Sequence, residues 1–252
     1  MPRIDYSGGA DAYRRARTLP PEVLAVWRAA VEAVPRQVCQ RVLDVGAGPG
    51  GFLEPLQEWF AAPIVAIEPS PAMCADAAGA GLARSFPYCA ARCEELPLAD
   101  NSVDVAWLST VVHQFDDRDA AVRELRRVLR PGGRVFVRGF FSDVPVTGLF
   151  ASFPGIARAA ATFPSSREVA SSFASAGFAL ASVADVIEPW RFDLTAWTDR
   201  VRSLRHIDSA LRPLTDTEVA DGVRIVEEAH RGARGPIASD GTLRLEVYRL
   251  GP

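Results

Sequence analysis

The sequence predicts an α/β fold in which a doubly wound sheet, mostly parallel with an antiparallel last strand, carries a helical cap. Over residues 40–140, short apolar runs alternate with helical patterns, which is typical of parallel strands covered on both faces. The run Val42-Leu43-Asp44-Val45 leads into the glycine-rich stretch 46–51 and then a helical pattern. A final run over 243–250 alternates apolar and polar residues. These observations favour a Rossmann-like sheet, whose ligands bind at the carboxyl ends of its strands.

Local patterns predict each element in turn. Residues 1–20 are polar and predict irregular structure, and Pro20-Pro21-Glu22 then opens a helix to about residue 34, because proline suits the first helical turn. Ser70 caps another helix, and Thr215-Asp216-Thr217-Glu218 resembles a capping box. The predicted strands cover residues 41–45, 64–68, 88–90, 103–108, 134–137, 178–188 and 243–250. The other predicted helices cover residues 51–60, a segment from 70, and residues 117–129, 166–176, 194–204 and 215–231.

The chain is expected to have three parts. Residues 1–37 form an N-terminal lid and helix, and residues 38–140 form a ligand-binding core. Residues 141–252 contribute the remaining core strands, with cap insertions at about 141–165 and 190–240. The first insertion is rich in Phe, Gly and Pro, which predicts a loop with short helices.

Composition excludes several classes of function. The net charge of −3 lacks the basic bias of nucleic-acid-binding proteins, so no nucleic-acid partner is expected. No apolar run approaches the roughly 18 residues of a membrane span, so no membrane partner is expected either. The four cysteines form no CxxC pair and have no histidine nearby, which argues against a metal site. Reduced thiols in a cytoplasmic protein are the expectation.

The glycine cluster predicts a nucleotide-like ligand. Gly46, Gly48 and Gly51 satisfy the GxGxxG pattern, and Glu68 ends the next predicted strand. Glycines let the backbone approach a ligand with no Cβ in the way, and the following helix offers free N–H groups. A carboxylate at Glu68 accepts hydrogen bonds from ribose hydroxyls in any adenosine cofactor. This pattern alone therefore leaves a nicotinamide cofactor and other adenosine cofactors open.

Three further stretches narrow the choice: Glu68-Pro69-Ser70-Pro71-Ala72-Met73, the segment 94–106, and Val111-Val112-His113-Gln114-Phe115-Asp116-Asp117 followed by Arg130-Pro131-Gly132-Gly133. In this order and spacing, and together with the glycine cluster, they resemble the class I S-adenosylmethionine-dependent methyltransferases. The resemblance covers about residues 38–140 and is nearest to the small-molecule branch related to the ubiquinone and menaquinone enzymes. It implies S-adenosylmethionine as cofactor and a small-molecule acceptor, with specialised metabolism as a candidate setting.

The resemblance implies a role for each residue of the cofactor site. Gly46, Ala47 and Gly48 pass under the methionine part of the cofactor, and Asp44 lies near its amino group. Glu68 holds both ribose hydroxyls.

At the adenine end, Pro69 and Met73 pack beside the ring, and Cys93 offers its backbone N–H to it. Ser109 lies near the amino acid end and the reacting methyl group. One position departs from the family: an Asp that accepts from the adenine amino group is replaced by Arg92, which cannot accept. Glu94 or a backbone carbonyl must then take over.

The lid and the catalytic group are two further expectations. The segment 13–21 resembles the lid of these enzymes, so Tyr13 and Arg17 are candidates to contact the cofactor carboxylate, the alternative being a solvated basic turn. His113 is the candidate general base at the end of the fourth strand, the alternative being a structural histidine.

Aromatic residues are expected either to roof a pocket for a flat or apolar small molecule or to form the core of the cap. They are Phe140, Phe141, Phe150, Phe153, Phe163, Trp190 and Trp197. Two other functions stay open at this stage. An NAD(P)-dependent oxidoreductase accounts for GxGxxG with Glu68, but a Ser-Tyr-Lys catalytic set is impossible because all 28 Lys and Arg positions are arginine. A non-catalytic methyltransferase fold used for binding is the third possibility.

Overall fold

One seven-stranded sheet organises the molecule. The computed structural model describes Tyr6 and residues 9–251. The sheet order is β3-β2-β1-β4-β5-β7-β6, in which the first five strands are mutually parallel and β7 is antiparallel to both of its neighbours. The predicted class of fold is thereby confirmed. The strands are β1 (Val42–Val45), β2 (Ile64–Ile67), β3 (Tyr88–Cys89), β4 (Val103–Ser109), β5 (Leu129–Gly139), β6 (Phe178–Phe192) and β7 (Ile237–Leu250).

Helices cover the sheet and build the cap. Short 3-10 turns at Val112–Gln114 and Gly148–Ser152 supplement them. The helices of the described residues are α1 (Ala10–Arg17), α2 (Pro21–Glu32), α3 (Leu53–Phe60), α4 (Pro71–Gly79), α5 (Leu82–Ser85), α6 (Arg118–Val128), α7 (Ile156–Ala160), α8 (Ser166–Ser175), α9 (Leu194–Leu204) and α10 (Asp216–Ala229).

The central strand β1 places the glycine turn at the ligand-binding edge of the sheet. All four of its residues are buried, as expected of a parallel strand with helices on both faces. It pairs with β2 and β4, so Val45 lies beside Ile67 on one side and Leu108 on the other. The turn after β1, Glu68 and Ser109 therefore lie at the same edge of the sheet. This edge is the switch in strand order at which such sheets bind ligands.

Helix α1 and strands β5, β6 and β7 differ from the sequence-based prediction, since β5 already begins at Leu129 rather than at 134. Residues 1–20 were expected to be irregular, but α1 is a helix whose Tyr13 and Ala16 pack against the core of the cap. Its amphipathic pattern is short and polar on average, so tertiary packing rather than propensity forms it. The second difference is that β6 and β7 extend beyond the predicted 178–188 and 243–250, because they pair with each other as far as Phe192 and Ile237.

The cap has a core of its own. Trp197, Val201 and Leu204 of α9 are buried against a set of apolar residues from the segment after β5 and from α10. The cap helices α9 and α10 are inserted between the antiparallel strands β6 and β7, whose extended ends lie beside the cap. Phe153 and Trp197 belong to the core of the cap, whereas Phe141 belongs to a core on one face of the sheet. The division of the chain into three parts stays a prediction.

Candidate active site

The glycine turn after β1 is shaped for close approach. Gly46 and Gly48 have φ angles of 67° and 55°, a region that residues with a Cβ avoid. A Cβ on Gly46 would lie 2.5 Å from Val111 Cγ2, whereas a Cβ on Gly48 would meet no protein atom within 4 Å. The backbone N–H groups of Gly46 and Ala47 both donate to the Ile67 carbonyl, which ties the turn to β2. Gly48 thus leaves space on the side where a ligand can lie.

Glu68 lies at the centre of the first of two cavities. Its carboxylate accepts the backbone N–H groups of Gly48 and Ser70, each at 2.8 Å. Burial raises the pKa of Glu68, and these two hydrogen bonds oppose that rise. The surrounding cavity has a volume of about 360 Å³, and we call it the Glu68 cavity. Its lining includes Tyr13, Gly46, Gly48, Glu68, Pro69, Met73, Cys93, Glu94 and Ser109 from the predicted cofactor set.

Asp44 is a buried carboxylate with an unused acceptor. The residue is 2% exposed, and its Oδ2 atom has no hydrogen-bond partner in the described part of the chain. Burial, with a smaller contribution from the charge of Glu68, raises the pKa of Asp44 to about 8. A cationic group beside Asp44 would satisfy this oxygen and favour its charged form, which fits the amino group of S-adenosylmethionine.

The far end of the Glu68 cavity explains what becomes of the unusual Arg92. Its guanidinium contacts Glu94 Oε1 at 3.0 Å and Asp116 Oδ2 at 2.9 Å. Glu94 Oε1 also accepts the backbone N–H of Asp116 at 2.9 Å. Arg92 therefore positions Glu94 at the cavity wall, and the role of Glu94 as acceptor in place of the missing Asp stays a prediction. The Cys93 side chain points away, toward the Ala121 carbonyl, and burial raises the pKa of its thiol.

A second cavity, of about 250 Å³, adjoins the first and lies beneath the cap. Asp44 and Ala47 line this cavity together with Arg17. We call it the aromatic cavity, because its wall includes Phe140, Phe150, Phe163, Trp190, Phe192 and Trp197. Both cavities share Tyr13, Gly46, Gly48, Ser109 and Thr110 in their linings, so the two meet at the ends of β1 and β4.

Buried ion pairs hold the aromatic cavity together. Arg138 of β5 pairs with Glu188 of β6 and donates to Ser109 Oγ at 2.9 Å. Glu188 also accepts Trp27 Nε1 at 2.6 Å and Trp190 Nε1 at 2.8 Å. Burial raises the pKa of Glu188, but Arg138 and these donors outweigh it, so the net shift is downward. The carboxylate is consequently ionised and ties two strands and α2 to the cavity wall.

The lid is attached to the cap by a second pair. Arg17 of α1 contacts Asp208, which lies after α9 and also accepts the backbone N–H of Ala210 at 2.8 Å. The Arg17 guanidinium carbon lies 5.7 Å from the ring centroid of Tyr13. Arg17 Nε is buried without a partner in the described part of the chain. Tyr13 and Arg17 thus lie at the cavity wall, and the solvated-turn alternative does not describe them.

His113 lies behind the two large cavities. Its Nε2 atom is 2.9 Å from Ser209 Oγ, and its ring centroid is 4.8 Å from that of Phe163. Burial lowers the pKa of His113 to about 4, so the ring is neutral at physiological pH. These contacts join the loop after β4 to the cap. They agree with the structural alternative, and the base role stays a prediction.

Sequence analysis missed Thr110, Arg138 and Glu188. Thr110 has a φ of 53°, which is rare for a β-branched residue, and it lines both cavities. Such strain is a feature of functional sites. Arg138 and Glu188 are 50 positions apart, so no local pattern could have paired them. Across the described residues, no cluster of three or more His, Cys, Asp or Glu side chains could hold a metal ion.

Comparison with known proteins agrees with this geometry. A family model described as a methyltransferase domain matches residues 43–137. An uncharacterized methyltransferase of Mycobacterium tuberculosis is 35% identical over 133 residues, covering 52% of this chain and 50% of the relative. Residues 43–137 are thus similar to methyltransferase domains, in agreement with the resemblance to class I S-adenosylmethionine-dependent methyltransferases. The match agrees with S-adenosylmethionine as the cofactor that the sequence motifs imply.

Other relatives indicate how far the likeness extends. The demethylmenaquinone methyltransferase of Mycolicibacterium paratuberculosis is 34% identical over 135 residues, covering 48% of this chain and 58% of that enzyme. The chain thus spans about half the length of the curated methyltransferases it matches. The crystal structure of the [4+2]-cyclase SpnF has a TM-score of 0.61 at 23% identity, covering 91% of this chain and 81% of that one. This last likeness shows the fold alone.

We predict that Glu68→Ala weakens binding of S-adenosylhomocysteine by about 1.5–3 kcal/mol, the range for loss of hydrogen bonds to a charged group. Calorimetric titration measures the change. Glu54→Ala, which removes an exposed carboxylate from α3, is the matched control and should bind normally. Unchanged affinity in a folded Glu68→Ala variant contradicts the ribose assignment.

We also predict an unusual pH dependence of stability caused by Asp44. Because its pKa is about 8 in the folded protein and about 3.9 when unfolded, the folded state binds more protons between these values. Stability from this group is therefore lost as the pH rises through that window. Asparagine does not titrate, so the difference in free energy of unfolding between Asp44→Asn and wild type should shift in favour of the variant as the pH rises from about 5 to about 8. The expected shift is roughly 1 kcal/mol per pH unit. The free energies of unfolding come from denaturant titrations of both proteins at several pH values. The same pH dependence in wild type and Asp44→Asn would contradict the shifted pKa.

Proposed function

We propose that this protein transfers a methyl group from S-adenosylmethionine to a small molecule held in the aromatic cavity. The observation that carries the proposal is the junction of the two cavities at Gly46, Gly48, Ser109 and Thr110. A cofactor with its ribose on Glu68 would have its amino acid end at this junction. An acceptor beneath the cap would then approach from the opposite side, as an in-line displacement requires.

The chain's own residues supply positioning rather than strong acid or base chemistry. When bound, the cofactor supplies an activated methyl group on a sulfonium, which needs an oriented nucleophile and little else. Asp44 and Glu68 orient the cofactor, while the lid and cap exclude water from the junction. Arg138 holds Ser109 Oγ at 2.9 Å, which sets the wall on which the reacting groups meet.

Support for a small-molecule acceptor comes from the cavity and from relatives. The aromatic cavity is enclosed by rings and by the cap core, which suits a small apolar or flat compound rather than a polymer. One relative is named a demethylmenaquinone methyltransferase and another, from Enterobacter lignolyticus, a malonyl-[acyl-carrier protein] O-methyltransferase. Those names describe the relatives. For this chain, the acceptor atom and a role in specialised metabolism are open to the test below.

The other two functions have less support. An NAD(P)-dependent oxidoreductase with a Ser-Tyr-Lys catalytic set needs a lysine beside its substrate. Neither cavity contains one, because the chain has no lysine. A non-catalytic binding protein was suggested by Arg92. Because Arg92 holds Glu94 at the cavity wall, that residue is no longer a reason to expect loss of cofactor binding.

Calorimetry of the purified protein with S-adenosylhomocysteine, NADH and NADPH tests the proposal. We expect S-adenosylhomocysteine to bind with a Kd on the order of micromolar, and neither nicotinamide cofactor to bind. Release of S-adenosylhomocysteine in the presence of an acceptor library then tests catalysis. Binding of a nicotinamide cofactor alone, or cofactor binding with no turnover on any acceptor, would favour one of the other two functions.

His113→Gln separates the base role from the structural role. A general base typically contributes a factor of about 10²–10⁴ to the rate, so a folded variant should lose at least a hundredfold if His113 is the base. Glutamine can still hydrogen-bond to Ser209, so the structural role predicts near-normal turnover. Because the pKa of His113 is about 4, wild-type turnover should show no histidine titration between about pH 6 and about pH 8 in either case.

A further inference from the structure

Arg200 differs from the other arginines of the aromatic cavity. Arg14 pairs with Asp76, Arg17 with Asp208, and Arg138 with Glu188. Arg200, on α9, lines the same cavity but forms no ion pair within the described part of the chain. Among the described arginines that line this cavity, Arg200 is therefore the one with no carboxylate in direct contact, although Asp208 and Glu188 act on it from a greater distance.

The position of Arg200 is set by two stacked rings. Its guanidinium carbon lies 4.3 Å from the ring centroid of Trp190 and 5.1 Å from that of Phe192. The two rings stack on each other at 5.3 Å with an angle of 8° between their planes. Trp190 and Phe192 are two positions apart on β6, so both face the cavity on the same side of the strand as Glu188. Cation–π contact orients the guanidinium without neutralising it.

Electrostatics favours an anion beside this group. Burial and the charge of Arg17 lower the pKa of Arg200 to about 9, although Asp208 and Glu188 oppose this shift, so the guanidinium remains charged at neutral pH but is poorly solvated. A carboxylate beside it would offset the hydration energy that burial removed, through Coulomb attraction and two parallel N–H···O bonds. Glu188 and Asp208 also line the cavity, so a ligand with one negative charge is favoured over a dianion such as a phosphate monoester.

We propose that the acceptor is an apolar or aromatic monocarboxylate, held by a bidentate contact between its carboxylate and Arg200 while its body lies against the rings of the aromatic cavity. This proposal rests on the proposed function, because it names the class of molecule that this site methylates. Arg200 does not line the Glu68 cavity, which separates its role from that of the cofactor residues. The carboxylate end is anchored at the cap, so the opposite end of the molecule faces the junction near Ser109.

Matched acids and amides test the carboxylate contact. The probes are 4-hydroxycinnamate, indole-3-acetate and decanoate, each compared with its primary amide on protein saturated with S-adenosylhomocysteine. We expect at least one acid to bind about tenfold or more tightly than its amide, equivalent to roughly 1.4 kcal/mol. Amides that bind as tightly as the acids, or no binding by any acid, overturn the proposal.

Variants of α9 identify the group responsible. Arg200→Gln should reduce the acid to the affinity of its amide, and Arg200→Lys should retain part of the preference because it keeps the charge. Arg202→Gln is the matched control, because Arg202 lies on the same helix and pairs with Asp199 at the surface. An acid preference that survives in folded Arg200→Gln assigns the contact elsewhere and overturns the proposal.

Cofactor binding separates the two proposals. S-adenosylhomocysteine should bind Arg200→Gln and wild type equally, which also shows that the variant is folded. Weaker S-adenosylhomocysteine binding by folded Arg200→Gln would place Arg200 on the cofactor and overturn the acceptor proposal. Failure of wild type to bind S-adenosylhomocysteine would instead contradict the proposed function, and the comparison of acids with amides would then be made on the free protein.

Discussion

Parallel pairing of β1 with β2 and β4 is the constraint on which the site depends. It fixes the carboxyl ends of three strands at one edge of the sheet, so the glycine turn, Glu68 and Ser109 become neighbours although they are distant in sequence. The hydrogen bond from the Gly48 N–H to Glu68 then closes the turn against β2. A register shift of one residue would reverse the face of every side chain in β1 and place Asp44 on the other side of the sheet.

Around this rigid edge, the chain uses buried arginine pairs to attach its more variable parts. Arg138–Glu188 links β5 to β6, and Arg17–Asp208 links the lid to the cap. Buried pairs of this kind contribute little net stability, because desolvation offsets the Coulomb attraction, but breaking one leaves an unpaired charge. In this structure, the two pairs connect the lid, the cap and strands β5 and β6 around the aromatic cavity.

The sequence predicted those parts of the molecule whose signals are local. Strands β1, β2 and β4 are short buried apolar runs, and the glycine turn and Glu68 follow them at fixed spacing, so both the sheet and most of the Glu68 cavity could be anticipated. Helix α1 could not, because its fold depends on packing against α9 rather than on its own composition. The same limit applies to the pair Arg138–Glu188, because the two residues lie on different strands. It also applies to Arg200, which stands out only once the other arginines of the cavity are seen to have carboxylate partners. The aromatic residues of the cap segments were the local clue to the second cavity, and Phe140, Phe150, Phe163, Trp190 and Trp197 do line it.

The absence of lysine shapes the electrostatics of the whole site. Arginine remains protonated across the physiological range, and His113 is held neutral by burial, so neither type of group changes charge near neutral pH. Asp44, whose pKa is about 8, is the exception among the groups that line the aromatic cavity. A cationic ligand beside Asp44 and an anionic ligand beside Arg200 would each compensate one buried group. The two requirements are complementary: in the proposed reaction, the amino group of S-adenosylmethionine would lie at the strand ends and a carboxylate acceptor would lie at the cap. Each ligand would then compensate the charge of a different buried group.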